Sequence, residues 1–122
     1  MPQISVDYSP SLAGSFDRRE LGVAINRLAV ETIAAEPEGC KTIFRATDPE
    51  VVVAFGERPE AQVFVQFQIF PGRSPEAKSA LTEGVLALLA ERLKPVPGER
   101  LHLAVDVRDI DREAYRNTAI EG

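Results

Sequence analysis

The chain opens on a strict alternation. Pro2, Ile4, Val6 and Tyr8 fall on one side of a period-two segment and Gln3, Ser5 and Asp7 on the other, which predicts a strand buried on one face. Ser9-Pro10-Ser11 breaks the pattern and Gly14-Ser15 allows a turn. From about Asp17 to Ala35 the spacing lengthens to three and four, with Leu21, Ile25, Leu28 and Thr32 in register and Ala24, Ala29 and Ile33 widening the stripe. That predicts a helix, ended by Pro37 and Gly39. A second strand is expected over Lys41–Thr47, with Lys41, Ile43 and Arg45 sharing a face. Asp48-Pro49 reads as a turn, the β-branched run Val51–Phe55 as a short returning hairpin, and Gly56-Glu57-Arg58-Pro59 as a loop.

The strongest strand signal lies at Gln62–Phe70. Val63, Val65, Phe67 and Ile69 alternate with Phe64, Gln66, Gln68 and Phe70, so both faces are partly apolar and both are expected to be covered. Ser74 suits a helix N-cap, Pro75 the first helical position and Glu76 the positive end of the dipole. Ala77, Leu81, Val85, Leu88, Leu89 and Leu93 carry an apolar stripe to about Lys94, where Pro95 and Pro97 stop it. Leu101, Leu103, Val105 and Val107 then mark a fourth long strand, and Asp109–Gly122 is polar and weakly patterned.

The order strand, helix, strand, hairpin, strand, helix, strand divides into two β-α-β halves. Helical crossovers make the strands of each half parallel. The expected fold is therefore α+β, a single domain over 1–122 with a four-stranded mixed sheet, two helices on one face and a short hairpin. The opposite face, with Phe64 and Phe70, is left bare, and oligomerisation is the expected cover.

Composition narrows the function classes. A net charge of −5 argues against binding a nucleic-acid backbone, while leaving room for a local basic pocket. Cys40 is the sole cysteine and His102 the sole histidine, so neither an intrachain disulfide nor a zinc site is expected, and a reducing compartment fits best. No apolar run approaches a membrane span and no signal-peptide pattern opens the chain, so a cytoplasmic protein without membrane or nucleic-acid partners is expected. The glycines form neither a dinucleotide nor a phosphate-loop motif, which leaves nucleotide binding without support.

The residues that stand out chemically begin at Met1-Pro2. Proline after the initiator is a small residue that favours removal of Met1, and the exposed Pro2 would then be a secondary amine able to take and give a proton. An internal proline nitrogen has neither a basic lone pair nor a hydrogen. Arg73, between a strand end and the first turn of a helix, is placed to grip a carboxylate. Lys41 and Arg45, on one strand face, are candidates for a second positive charge. Taken singly, each of these cations is more often a solvated or ion-paired surface residue. His102 and Cys40 read as structural, and nothing in the sequence fixes the separation of Asp7, Asp106 and Asp109.

Met1-Pro2 opening a strand, the Asp7-Tyr8-Ser9 exit, and Phe64-Val65-Gln66 running into Pro71-Gly72-Arg73-Ser74 together resemble the tautomerase superfamily. Within it, the arrangement is most similar to the 5-carboxymethyl-2-hydroxymuconate isomerase family. Gly72-Arg73-Ser74 followed by Glu76 also looks like the corresponding phrase of 4-oxalocrotonate tautomerase. The resemblance implies a homotrimer of β-α-β repeats acting without cofactor or metal on a small carboxylate substrate. It implies Pro2 as base, Arg73 as a substrate-binding arginine, and Lys41, with Arg45 farther along the same face, where the family carries a second arginine. Lysine there is a departure, since a point charge lacks the bidentate fork, and two residues are missing between the hairpin and Arg73. Related folds use the same amine for hydration, dehalogenation or decarboxylation, and a trimer that retained Met1 would be a non-catalytic binding protein.

Overall fold

The computed structural model describes residues 1–48, 53, 55–56 and 58–122. Pro49 and most of the hairpin run Val51–Phe55 lie outside these residues. Strands β1 (Gln3–Tyr8), β2 (Lys41–Ala46), β3 (Glu60–Ile69) and β4 (Arg100–Asp109) form one sheet in the order β2-β1-β3-β4. Pairs β1–β2 and β3–β4 are parallel and the central pair β1–β3 is antiparallel, so two β-α-β units meet at the middle of a mixed sheet. The helices α1 (Arg18–Ile33) and α2 (Pro75–Arg92) are the two crossovers, and they pack on the sheet and on each other. Among the described residues no helix is long and apolar enough to cross a membrane.

The alternation explains the burial. Ile4, Val6 and Tyr8 of β1 and Val63, Val65, Phe67 and Ile69 of β3 are buried and meet Leu21, Ile25 and Ala29 of α1 and Leu81, Val85 and Leu89 of α2. Each of the Ile, Val, Leu and Phe side chains among these contributes about 1.5–3 kcal/mol by leaving water. Residues one step out of phase, Gln3, Ser5, Asp7, Phe64, Gln66 and Gln68, lie on the other face, with Ile43 and Ala104 beside them in register. Part of the apolar surface on that face is exposed: Ile43, on the edge strand β2, keeps 45% of its surface.

The helix ends show how local chemistry sets the frame. Asp17 caps α1 by accepting from the Glu20 amide, and Ser74 caps α2 by accepting from the Ala77 amide at 3.1 Å. Helix α1 stops earlier than its apolar pattern implies. Ala34 takes the left-handed conformation (φ 51°) and Pro37–Gly39 form a separate 3-10 turn, so the Pro-Glu-Gly segment begins the approach to β2 rather than ending the helix.

The polar tail covers one of the two phenylalanines expected to be left bare. The Ile110 amide bonds to the Ile69 carbonyl at 2.8 Å, and the segment beyond it folds back on the end of β3. Tyr115 meets the Phe70 ring edge-on at 5.3 Å, and the Arg112 guanidinium lies 4.1 Å from the ring centroid. Phe70 is therefore covered by its own chain, while Phe64 stays on the open face.

Candidate active site

Pro2 stands at the head of β1 and is buried. In the intact chain its nitrogen is an amide, bonded to a half-buried Met1. Its carbonyl accepts from the Lys41 amide at 3.4 Å, so the first residue of β2 is tied directly to it. The 3-10 turn before β2 closes beside Met1, with the Gly39 amide on the Glu36 carbonyl (3.0 Å) and the Cys40 amide on the Pro37 carbonyl (3.3 Å). A β-carbon on Gly39 would stand 2.4 Å from the Met1 carbonyl oxygen. The Lys41 ammonium turns back to the Glu38 carbonyl at 3.2 Å and is exposed. Cys40 donates its thiol to the Glu36 carbonyl. Burial pushes that thiol above its ordinary value of 9.0, against the opposing pull of the chain's amino group and Lys41.

Arg73 comes to the same end of the sheet from the other half of the chain. Gln3 pairs with Gln68, and extending that antiparallel register sets Pro2 across from Ile69. Gly72, at φ 116°, turns the chain after β3 so that Arg73 folds back over the strand end. Its Nη1 donates to the Phe70 carbonyl at 3.1 Å and its Nε to the Ile33 carbonyl at 3.0 Å. Ile33 is the last residue of α1, where unpaired carbonyls and the negative end of the dipole favour a cation. Arg73 thus joins the end of α1 to the exit of β3. Two of the guanidinium's five N–H donors are committed in this way, leaving three.

The other candidates are not drawn to this end. Arg45 makes a two-point pair with Asp7, Nε to Oδ1 at 2.8 Å and Nη2 to Oδ2 at 3.2 Å, and that bond holds its guanidinium above its ordinary range. It lies four residues along β2 from Lys41, about 13 Å at the usual strand rise. Asp106 pairs with Arg108 and Asp109 with Lys78, so each of the three aspartates holds its own cation and no carboxylate dyad forms among them. His102 is exposed, opposite Gln62. A groove of about 320 Å³ between α1 and β2, lined by Arg18, Arg19, Asn26, Thr42 and Phe44 among others, does not include Pro2.

Pro2, Lys41 and Arg73 are the sequence-level candidates that the fold gathers at one end of the sheet. Gly39 was not singled out by sequence reasoning. The signal was the shortness of Pro37-Glu38-Gly39 before a strand, which reads equally well as a helix terminator.

The family description 5-carboxymethyl-2-hydroxymuconate isomerase matches residues 2–122. No curated protein matches the sequence significantly. Among solved structures, the chain is similar to a 5-carboxymethyl-2-hydroxymuconate isomerase from Deinococcus radiodurans R1, at 21% identity and TM-score 0.77, covering 96% of this chain and 88% of that one. A fused 4-OT wild-type symmetric trimer follows at 22% identity and TM-score 0.73, with coverage of 89% and 85%. A 5-carboxymethyl-2-hydroxymuconate delta-isomerase superposes with TM-score 0.70 at 16% identity, over 100% and 89% of the two chains.

Proposed function

This chain belongs to the 5-carboxymethyl-2-hydroxymuconate isomerase family, and on that premise we propose that it moves a proton within an unsaturated 2-hydroxy/2-oxo dicarboxylate, with Pro2 as the base. The observation that supports this most directly is that Pro2, Lys41 and Arg73 stand at the same end of the sheet, with the Lys41 amide bonded to the Pro2 carbonyl. Removal of Met1 converts a buried amide nitrogen into a secondary amine. A free α-amino group titrates near 7.7–8.0, and burial of Pro2 together with the cations at the same end of the sheet would disfavour the charged amine and favour the neutral base.

The reaction needs one group in two roles. Pro2 takes the proton of an enol hydroxyl, the oxygen closes to a carbonyl, and the electron pair of the conjugated chain moves to a remote carbon. That carbon then takes the proton back from the Pro2 ammonium, giving the conjugated ketone. Lys41 and the remaining donors of Arg73 hold the two carboxylates and stabilise the dienolate between the steps. Arg45, engaged with Asp7 in its own subunit, takes no part in this assignment.

A homotrimer is part of the same reading. Ile43, Phe64 and Ala104, set across the open sheet face, are apolar surface that three copies would cover. A trimeric assembly among the similar structures supports this arrangement.

Intact mass and kinetics test the proposal together. Native protein should be lighter by one methionine, turn over 2-hydroxymuconate or phenylenolpyruvate, and lose about a hundredfold or more in rate on Pro2→Ala with the fold intact. Full retention of Met1 in native material would favour the non-catalytic trimer. Turnover of neither substrate by processed protein would favour hydration, dehalogenation or decarboxylation by the same amine.

A further inference from the structure

We infer that Gly39 is a specificity-determining residue, whose bare α-carbon keeps open the space in which the reacting atom of the substrate meets the Pro2 nitrogen. The inference rests on the Pro2 reading above. Its geometry starts from a covalent fact: the Met1 carbonyl carbon is bonded to that nitrogen, about 1.33 Å away. Once Met1 is removed, the lone pair or N–H of Pro2 opens toward the volume now filled by the Met1 main chain. A proton donor or acceptor stands about 2.6–3.2 Å from its partner, which places the substrate atom in that same volume.

Gly39 is the wall of this space. A β-carbon there would lie 2.4 Å from the Met1 oxygen, 3.2 Å from its carbonyl carbon and 3.3 Å from its nitrogen, all backbone atoms that cannot swing aside. Nothing in the backbone requires glycine at this position: the positive-φ glycines are Gly72 and Gly98. Close approach is what requires it. The Gly39 amide is engaged with the Glu36 carbonyl, so its N–H is not offered to a ligand. Lys41 follows two residues later with its charge. Such a surface fits a flat conjugated chain that is unbranched at the carbon exchanging the proton, with a carboxylate within reach of Lys41.

The test compares Gly39→Ala with the parent in two forms, one beginning at Met1 and one at Pro2. Because Cys40 is the only cysteine, both forms can be assembled by ligating a 1–39 or 2–39 peptide to 40–122. In the Met1 form, the substitution should lower Tm by about 4 °C or more, because the added methyl group overlaps fixed backbone. In the Pro2 form, Tm should hold or rise slightly, as for glycine replaced at an unstrained position. With the linear dienol, kcat/KM of the Pro2 form should fall by about a hundredfold, while reductive methylation of Pro2 by formaldehyde, a one-carbon probe, with cyanoborohydride as the hydride donor, proceeds at the parental rate. An equal Tm loss in both forms, or an unchanged kcat/KM, would overturn the inference. If the parent Pro2 form turns over no dienol, the Pro2 reading fails instead, and the Tm contrast still decides whether Gly39 walls this space.

Discussion

Replacing Arg73 by alanine separates its structural work from any work on a ligand. The parent side chain makes two charge-assisted hydrogen bonds to backbone carbonyls, one at the C-terminus of α1 and one at the exit of β3. Bonds to a charged group contribute about 1.5–3 kcal/mol each when well shielded. Arg73 is only half-buried, and water can reach the carbonyls once the side chain is gone, so the pair together is worth about 2 kcal/mol. Unfolding entropy of about 2.1 cal/mol/K per residue over 122 residues makes each kcal/mol worth about 4 °C. Arg73→Ala should therefore melt about 8 °C lower by scanning calorimetry. Arg73→Lys, which reaches one carbonyl at a time, should recover about half of that loss. A melting point within about 1 °C of the parent would refute the reasoning, because the two carbonyls would then gain nothing from the guanidinium. A fall in kcat/KM without any fall in Tm would assign Arg73 wholly to the substrate.

Further outcomes follow from other parts of the structure. Lys41→Ala should raise KM for a dicarboxylate by about tenfold and also lower kcat, since the same charge is assigned to the dienolate, and Lys41→Arg should restore or tighten binding, as read by steady-state kinetics. Phe67→Ala empties a fully buried position in β3 and should cost about 3–5 kcal/mol in urea unfolding. Ser74→Ala removes the cap on α2 and should cost about 1 kcal/mol, measured the same way. The Cys40 thiol, raised by burial, should reach half-maximal alkylation above pH 9.0. A raised thiol stabilises the folded chain while it stays protonated, so that contribution is present below the unfolded value and fades as pH rises through the folded one. Half-maximal reaction below 9.0 would show that the thiol is not desolvated.

Much of the frame was legible because period and capping are local. Ile4, Val6 and Tyr8, Val63 to Ile69, and Leu81, Val85 and Leu89 alternate or recur at the spacing of the element they form, and each points to the core. Ser74-Pro75-Glu76 starts a helix where its chemistry says it should. The two long crossovers made the parallel pairs follow from handedness and length alone. What remained hidden was set by residues far apart in the chain. Ile33 offers a carbonyl that holds Arg73 from forty residues away, and Tyr115 covers Phe70. Asp7 binds Arg45 across two strands, and with it removes Arg45 from the site.

The amino-acid order by itself thus determined the two β-α-β halves, the parallel pairing within each and the choice of Pro2, Arg73, Lys41 and Arg45 as the residues worth following, because period, capping and crossover length are local properties. Only the folded chain decided that Arg73 caps α1, that Arg45 is held elsewhere, and that Gly39 touches Met1. Those are contacts between segments separated by dozens of residues, and a one-dimensional pattern contains no distance between such segments until the sheet register and the packing of the helices bring them together.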